Sequence, residues 1–296
     1  MNILVTGANG QLGMELRSAS RGSSHRFIFS DVTSLRGADT LYLDITDRAA
    51  VSLVCASEKV NVVINCAAYT DVDRAETDSA MAMLLNAEGP ANLAAVCKQR
   101  GILLIHISTD YVFGGQNPLP IREDWPVAPT GVYGATKLQG EKVIEDSGCK
   151  YIIFRTAWMY SPWGKNFVKT MRSLTKERPS LSVVFDQVGS PTYAADLASL
   201  IVNVIDTGQS GKTGIYHFSG EGVCSWYDFA CAIRDLSGNE CDIRPCHSDE
   251  FPSKVKRPSY SVLDKTLVKK TFGITIPHWT ESLRRCIAQI EKQPAK

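Results

Sequence analysis

The chain has 296 residues, with 32 basic and 31 acidic side chains and a formal net charge of +1. This length can bury one large hydrophobic core, or one large and one small core. The two charge signs are evenly mixed without a basic stripe, so we expect neither nucleic acid nor a membrane surface as a partner. The apolar start lacks the charged flank of a secretion signal, and no 18-residue apolar run follows, so we expect neither secretion nor a membrane span.

Nine cysteines are scattered along the chain without a Cys-x-x-Cys pair. Their odd number and irregular spacing are typical of reduced thiols in a cytoplasm rather than of a disulfide framework. Cys241, Cys246 and His247 are close in sequence, but their spacing matches no structural zinc pattern. We therefore expect a cytoplasmic protein without a metal site at these residues.

Short apolar runs alternate with amphipathic stretches in the first half of the chain. The runs predict buried strands at residues 3–5, 27–29, 60–66, 102–107 and 151–154. The stretches between them predict helices at residues 11–20, 48–59, 90–100 and 132–146. Pro90 suits the first turn of its helix and Gly101 suits the end. This alternation is typical of an α/β fold with a parallel, doubly wound, Rossmann-like sheet.

The pattern loosens after about residue 150, although helices are still predicted at residues 166–176, 192–205, 226–236 and 280–291. We interpret the chain as two lobes. A dinucleotide-binding domain spans residues 1–150 and also receives residues 186–220. A smaller, discontinuous α+β substrate-binding lobe occupies residues 151–296. The substrate would lie in the crevice at the carboxyl ends of the strands.

Three glycines, Gly7, Gly10 and Gly13, follow the first predicted strand and open the first predicted helix. Glycine lets the backbone turn tightly and approach a pyrophosphate, whose charge the helix N-terminus stabilises. The spacing is Gly-x-x-Gly-x-x-Gly, not the Gly-x-Gly-x-x-Gly of typical dehydrogenases. The prediction of a dinucleotide site therefore depends on the location of these glycines directly after the first strand, not on their spacing.

Asp31 ends the second strand, 24 residues after Gly7. A carboxylate there can bind the adenosine ribose hydroxyls, although it can also cap a turn. No arginine occupies residues 32–34, and an unbalanced carboxylate repels a 2′-phosphate. We therefore predict that NADH is accepted at least as well as NADPH. Asp44 and Ile45 follow the next short apolar segment and could contact the adenine.

Tyr133 and Lys137 are four residues apart, so they share one helix face. There the ammonium can favour the phenolate and bring an acid of pKa about 10 closer to working pH. Thr109 ends the fourth predicted strand, and its hydroxyl can hydrogen-bond both a substrate oxygen and the Tyr133 phenol. Ser108 is the competing hydroxyl, but strand alternation should place residues 108 and 109 on opposite faces. A solvated helix face and a strand-end turn are the structural alternatives. Together the residues predict an oxidoreductase in which tyrosine is the general acid.

These residues resemble the extended short-chain dehydrogenase/reductase superfamily and, within it, the dTDP-4-dehydrorhamnose reductase family. The resemblance covers nearly the whole chain and rests on these segments: residues 7–13, Asn65-Cys66-Ala67-Ala68-Tyr69-Thr70 with Val72-Asp73 and Ala75-Glu76, residues 108–113, 132–141, 154–158 and 186–192, and Arg257-Pro258. It implies that NADH or NADPH reduces the 4-keto group of dTDP-4-dehydro-L-rhamnose to dTDP-L-rhamnose, a precursor of bacterial surface polysaccharide.

The resemblance also implies roles for individual residues. The catalytic set is Thr109, Tyr133 and Lys137. The cofactor contacts are the glycines above with Gln11, Leu12, Asp31, Asp44, Ile45, Ala68, Tyr69, Thr70, Ile107, Tyr133 and Lys137. The sugar-nucleotide contacts are Thr109, Asp110 and Trp158, and Arg257 is a candidate diphosphate ligand because its fork suits phosphate. From the residues alone, Trp158 could equally be a core aromatic and Arg257 a surface ion-pair partner.

Some members of the family bridge two subunits through Mg2+ held by glutamates. Glu15 matches one ligand position, but Ala195 stands where another glutamate is expected. The sequence therefore argues against metal-dependent dimerisation, while a homodimer as such stays open. The hydride chemistry itself does not require Mg2+.

Three other functions compete with a reductase. A sugar-nucleotide 4,6-dehydratase would want an acidic residue directly after Thr109-Asp110, where this chain has Tyr111. An epimerase of the same superfamily is a second alternative. The third is a non-catalytic regulatory subunit resembling the β subunit of methionine adenosyltransferase. The complete set of Thr109, Tyr133 and Lys137 argues against that last interpretation.

Overall fold

The computed structural model describes residues 1–35, 37–115, 118–251, 255 and 257–292. The strands among these residues are β1 Asn2–Thr6, β2 Arg26–Asp31, β3 Leu41–Tyr42, β4 Val62–Asn65, β5 Leu103–Thr109, β6 Lys150–Thr156, β7 Met159–Tyr160, β8 Ser180–Val184, β9 Val188–Gly189, β10 Thr192–Tyr193, β11 Gly214–His217, β12 Cys224–Ser225 and β13 Asp242–Cys246. The α-helices are α1 Gln11–Ala19, α2 Arg48–Ser57, α3 Val72–Ala75, α4 Ser79–Met83, α5 Gly89–Arg100, α6 Val132–Ser147, α7 Phe167–Glu177, α8 Ala194–Asp206, α9 Trp226–Leu236, α10 Thr266–Phe272 and α11 Trp279–Glu291. None of the described helices is both long and apolar enough to cross a membrane.

Seven of the described strands form one parallel sheet in the order β11-β6-β5-β4-β1-β2-β3. In the centre of the sheet, Val5 of β1 pairs with Phe29 of β2 on one side and with Ile64 of β4 on the other. The strand order reverses between β1 and β4, and such a reversal leaves a crevice at the carboxyl ends of the strands. The predicted doubly wound α/β fold is confirmed, and every predicted strand and helix is present with ends within two residues of the prediction.

The sheet is buried on both faces, which explains the continuous apolar runs of its strands. Ile3 and Val5 of β1 pack with apolar residues of α1 and α8 on one face. Leu4 points the other way and packs with Val51 of α2 and Leu93 of α5. Successive residues of one strand therefore serve two separate helical layers.

The second half of the chain contributes both to the large sheet and to a separate apolar cluster. Strand β11 extends the sheet beside β6, with Ile215 opposite Ile153, and α8 packs against α1. A separate apolar cluster joins α7, α9 and α11 around Phe229 and Leu283. The division of the chain at residue 150, with residues 186–220 returning to the first domain, stays a prediction. Within the predicted substrate-binding lobe, residues 252–254, 256 and 293–296 lie outside the described residues.

Helix α6 approaches its neighbours unusually closely because two of its residues lack side chains. A Cβ atom at Gly134 would lie 2.2 Å from the carbonyl oxygen of Tyr111, and one at Gly140 would lie 2.1 Å from that of Asn86. Asn86 belongs to a π-helical turn, Leu84–Glu88, between α4 and α5. Its buried side chain donates to Thr136 of α6 and to the carbonyl oxygen of Tyr69. The α6 backbone, and any side chain on its first turns, is therefore held firmly against this π-helical turn and the turn that follows β5.

Candidate active site

A cleft of about 650 Å³ lies at the carboxyl ends of the central strands. It is lined by most of the site residues that the sequence predicted: Gly7, Gly10, Gln11, Leu12, Asp31, Asp44, Ile45, Ala68, Thr70, Ile107, Thr109, Asp110, Tyr133, Lys137 and Trp158. The glycine-rich loop and the Tyr133–Lys137 helix therefore face one continuous space, as a cofactor bound between them would require.

The glycine-rich loop forms the turn between β1 and α1. Gly7 has a φ of +64°, and a Cβ atom there would lie 2.5 Å from the backbone nitrogen of Ala67. Gly10 is the N-cap of α1 and offers no capping side chain, so the first N–H groups of the helix are free to bind an anion. Gly13 does not line the cleft, because it packs against the Ala8 backbone instead. These features fit a dinucleotide pyrophosphate.

Asp31 lines the cleft and also organises the loop above it. Its carboxylate accepts hydrogen bonds from the Asn9 and Thr33 backbone nitrogens, at 3.0 and 2.9 Å. Arg17 of α1 donates to the Asn9 side chain and lies close enough for its charge to interact with Asp31. The prediction considered only the residues that follow Asp31 in sequence. Arg17 precedes Asp31 and is not among the residues that line the cleft, whereas Asp31 is.

Besides Gly13, two predicted positions, Tyr69 and Arg257, lie outside the residues that line the cleft. The Tyr69 backbone is fixed by the Asn86 side chain, and its hydroxyl donates to Asp78 at 3.2 Å. Arg257 pairs with Asp73, with 3.4 Å between Nη2 and Oδ2. Arg257 is therefore an ion-pair partner in the structure. A phosphate group would have to compete with Asp73 for the guanidinium.

Thr109, at the end of β5, and Tyr133, in the first turn of α6, meet at the centre of the cleft. The Thr109 hydroxyl donates to Asp110 at 3.0 Å and accepts from the Tyr111 backbone nitrogen at 3.2 Å. Ser108 and Thr109 both line the cleft where the strand ends. The Ser108 hydroxyl is buried and has no protein partner among the described residues.

Burial shifts the pKa values of both members of the Tyr–Lys pair. It raises the pKa of Tyr133 to about 12, although a hydrogen bond with Thr109 acts in the opposite direction. It lowers the pKa of Lys137 to about 8, while the charges of Glu141 and Cys66 act to raise it. The expectation that the ammonium would bring the phenol's pKa down was therefore wrong for the protein alone, because desolvation disfavours the charged form of each group.

Asp110 is a buried carboxyl group beside the catalytic candidates. Burial raises its pKa to about 7, while a hydrogen bond from the Thr109 hydroxyl acts to lower it. One of its oxygens, Oδ2, has no protein partner among the described residues. A buried acceptor without a partner at the wall of a cleft suits a ligand hydroxyl.

Aromatic rings close the substrate side of the cleft. Trp158 stacks on Trp226 with ring centroids 3.5 Å apart, and its backbone has a φ of +49°, which is rare for a residue other than glycine. Tyr111 meets Tyr133 edge to face at 5.5 Å. Trp158 therefore lines the cleft from a strained backbone position and also packs against two apolar clusters.

Some residues of the cleft were not predicted from the sequence, among them Tyr111, Thr156 and Lys165. Tyr111 could have been found from its place directly after the Thr109-Asp110 pair. Lys165 is a lone cation in a loop and carries no spacing signal. That loop reaches α1, since the Asn166 side chain donates to Gln11 Oε1 at 2.9 Å.

Comparison with known proteins places this architecture in a family. The family model described as RmlD substrate binding domain matches residues 1–292. A dTDP-4-dehydrorhamnose reductase of Aggregatibacter actinomycetemcomitans is 38% identical, over 98% of this chain and 99% of the relative. The chain belongs to the dTDP-4-dehydrorhamnose reductase family. The resemblance read from the sequence is thereby confirmed.

Two solved structures of this reductase family match the chain closely. The structure of a dTDP-4-dehydrorhamnose reductase from Clostridium acetobutylicum has a TM-score of 0.91 and 44% identity, over 98% of this chain and 100% of that one. The structure of a Bacillus anthracis dTDP-4-dehydrorhamnose reductase in complex with NADP has a TM-score of 0.89 and 37% identity, over 97% of this chain and 99% of that one. The agreement thus extends over nearly the whole chain.

Glu15, which matches one magnesium-ligand position of the family, lies buried on α1, which packs against α8. Burial and the negative charge of Asp196 raise its pKa to about 7. Asp196 is itself bound by Arg285 at 2.6 Å and by Ser282. Among the described residues, no group of three or more His, Cys, Asp or Glu side chains is arranged to hold a metal ion.

Proposed function

We propose that this chain reduces the 4-keto group of dTDP-4-dehydro-L-rhamnose to dTDP-L-rhamnose with NADH or NADPH. The observation that carries the proposal is the convergence of Thr109, Tyr133 and Lys137 on one cleft whose other end is the glycine-rich loop. Relatives that cover the whole chain carry this activity in their names. A nicotinamide cofactor supplies the hydride when bound.

The residues that would hold the cofactor follow from the cleft. The Gly7–Gly10 turn and the free N–H groups of α1 suit the pyrophosphate, and Asp31 suits the adenosine ribose. Lys137 is fixed at the opposite end, since its Nζ donates to the carbonyl oxygen of Ile107 at 2.6 Å. It is thereby positioned to bind the hydroxyls of the nicotinamide ribose.

Tyr133 is the proposed general acid. Its raised pKa keeps the phenol protonated across the working range of pH, so a proton is available when hydride reaches the carbonyl carbon. The C–H bond forms as the carbonyl π bond breaks, and the carbonyl oxygen takes the tyrosine proton. Thr109 would hold that oxygen, and the Lys137 cation would stabilise the phenolate left behind.

The sugar nucleotide would enter from the side of the smaller lobe. The unpartnered Asp110 oxygen suits a sugar hydroxyl, and the Trp158 ring, backed by Trp226, offers an apolar face for the sugar. Tyr111 occupies the position where an acidic residue is expected in a 4,6-dehydratase, which favours a reductase. Net consumption of reduced cofactor separates the reductase from a dehydratase, an epimerase and a regulatory subunit.

The decisive assay follows absorbance at the nicotinamide band while the protein meets dTDP-4-dehydro-L-rhamnose made in situ. Tyr133→Phe should lower turnover by about 10²–10⁴-fold, because only the proton donor is lost. Cofactor binding, followed by fluorescence titration, should be largely kept. Tyr216→Phe is the matched control, since that hydroxyl bonds the Lys212 carbonyl away from the cleft. Turnover near that of the unmodified protein in Tyr133→Phe would falsify the assignment.

We further propose a cytoplasmic location, supported by nine free cysteines of which seven are buried. The family resemblance also allows a homodimer. Analytical ultracentrifugation with added Mg2+ and with EDTA tests both the assembly and its metal dependence. We expect any dimer to persist in EDTA, because Ala195 offers no ligand and Asp196 is already engaged by Arg285.

A further inference from the structure

A line of buried polar side chains runs behind the proposed catalytic pair. It passes from Thr6 on β1 to Asn65 on β4, then to His106 on β5 and Lys137 on α6. His106 is 0% exposed and Lys137 is 2% exposed. The proposed reaction does not use Asn65 or His106, although a buried histidine beside a catalytic lysine is a strong electrostatic neighbour.

The direction of these hydrogen bonds can be assigned from one backbone group. The Ala67 backbone nitrogen, which can only donate, lies 3.2 Å from Asn65 Oδ1. The Thr6 hydroxyl donates to the same oxygen at 2.7 Å. The amide nitrogen of Asn65 must therefore be the atom that faces His106, 3.0 Å from Nδ1.

This assignment fixes the tautomer of His106. Because the Asn65 amide nitrogen is a donor, Nδ1 must accept, so a neutral ring carries its proton on Nε2. Nε2 lies 3.3 Å from the Lys137 Nζ. An ammonium has three donors and no acceptor, whereas an uncharged amine has one lone pair that can accept the Nε2 proton.

We propose that His106 is a positioning residue that presents its Nε2–H group to Lys137 and so favours the uncharged amine over the ammonium. Asn65 acts one step further back, because it keeps Nδ1 of the ring without a proton. The Ile107 carbonyl, which accepts from Lys137 at 2.6 Å, holds the amine in place for this contact.

The other titratable groups around Lys137 act in the opposite direction or do not compete. Glu141 lies on the same helix and Cys66 at the end of β4, and both favour the charged lysine, while burial lowers its pKa to about 8. Burial and the Lys137 charge hold the pKa of His106 well below its ordinary value, so the ring is neutral at working pH. Tyr133, one turn earlier on α6, stays protonated in the same range.

The consequence for catalysis rests on the proposed function. If the cationic Lys137 is the form that supports reduction, activity falls as pH rises through its pKa, and His106 sets where this basic limb lies. Replacing His106 with a side chain that can accept a hydrogen bond should raise the pKa of Lys137. The basic limb of kcat/KM should then move to higher pH.

The test measures protonation directly, in protein without nucleotide, so its result does not depend on turnover. Long-range ¹H–¹⁵N correlation spectra distinguish histidine tautomers, and the chain has five histidines. The His106 signal should show Nε2–H. Protein labelled with [ε-¹³C]lysine then reports the midpoint of the Lys137 titration, and the signal is assigned by its loss in Lys137→Met.

His106→Gln should raise this midpoint by about one pH unit, a tenfold change in the protonation equilibrium. Thr6→Val is the matched control: it removes a hydroxyl from the same buried line, but the Ala67 backbone still orients Asn65, so the midpoint should stay in place. A proton on Nδ1 in the unmodified protein, an unchanged midpoint in His106→Gln, or an equal shift in Thr6→Val would each overturn the proposal. The tautomer measurement needs no variant, so it decides even where His106→Gln fails to fold.

Discussion

The buried ion pair between Arg155 and Glu141 offers a quantitative test of how α6 is held in place. Arg155 Nε and Nη2 bind the two Glu141 oxygens at 2.9 and 2.7 Å, and the side chains are 4% and 1% exposed. Arg155 also donates to the Glu123 carbonyl and lies over the Phe113 ring. Glu141 is one turn after Lys137, and Arg155 precedes Thr156 in the cleft.

Removing one partner should cost far more than removing both. Glu141→Gln leaves the guanidinium buried without a neutralising charge, which should lower the free energy of unfolding by about 3–5 kcal/mol. The pair Glu141→Leu with Arg155→Met replaces two charges by apolar groups of similar volume. Its stability should lie within about 1 kcal/mol of the unmodified protein or above it, because two desolvation penalties disappear together.

Urea unfolding followed by circular dichroism gives these free energies. The control is Asp124→Asn, which breaks an exposed ion pair with Arg122 and should leave the stability nearly unchanged, because water screens the two charges. A loss below about 1 kcal/mol in Glu141→Gln, or a double variant as unstable as the two single changes added together, would refute the reasoning. Because Glu141 raises the pKa of Lys137, Glu141→Gln should also lower the lysine midpoint.

Three further predictions concern the ends of the cleft. The pKa of Asp110 is about 7 in the folded protein, above its ordinary value of 3.8. Ionisation of Asp110 therefore lowers the free energy of unfolding by up to about 4 kcal/mol above pH 7, and this penalty disappears as pH falls toward 4. Asp110→Asn should raise the free energy of unfolding at pH 8 but hardly at pH 4.5, and equal gains at the two pH values would contradict the raised pKa of Asp110. Gly7→Ala forces a Cβ atom against the Ala67 backbone, so it should destabilise the protein by about 1–3 kcal/mol. It should also abolish nucleotide binding measured by calorimetry. Unchanged binding would exclude the proposed pyrophosphate site. Steady-state kinetics should show NADH accepted at least as well as NADPH, and a hundredfold preference for NADPH would mean that Arg17 outweighs Asp31.

The sequence predicted the parts of the fold that carry a local signal. Apolar runs buried on both sheet faces, the glycine-rich turn and the Tyr133–Lys137 spacing each depend on neighbours along the chain. Strand β3, Leu41–Tyr42, was missed because two residues cannot show a periodic pattern. Strand β11 owes its place to pairing with β6, which lies about sixty residues earlier.

The parts of the site that were missed depend on contacts distant in sequence. The Arg257–Asp73 pair joins residues 184 positions apart, and Arg17 reaches Asp31 from a helix that precedes it. The pKa values of Tyr133 and Lys137 departed from expectation for the same reason. The i,i+4 spacing shows that the two groups share a face, but only the packed structure shows that both are removed from water.

The side chain of Gln11 belongs to two sites at once. It stands in the first turn of the helix that would cradle the cofactor's phosphates, and its amide oxygen receives Asn166 from the segment that follows the Trp158 bend. A change in the position of either segment would therefore be felt by the other through this one hydrogen bond.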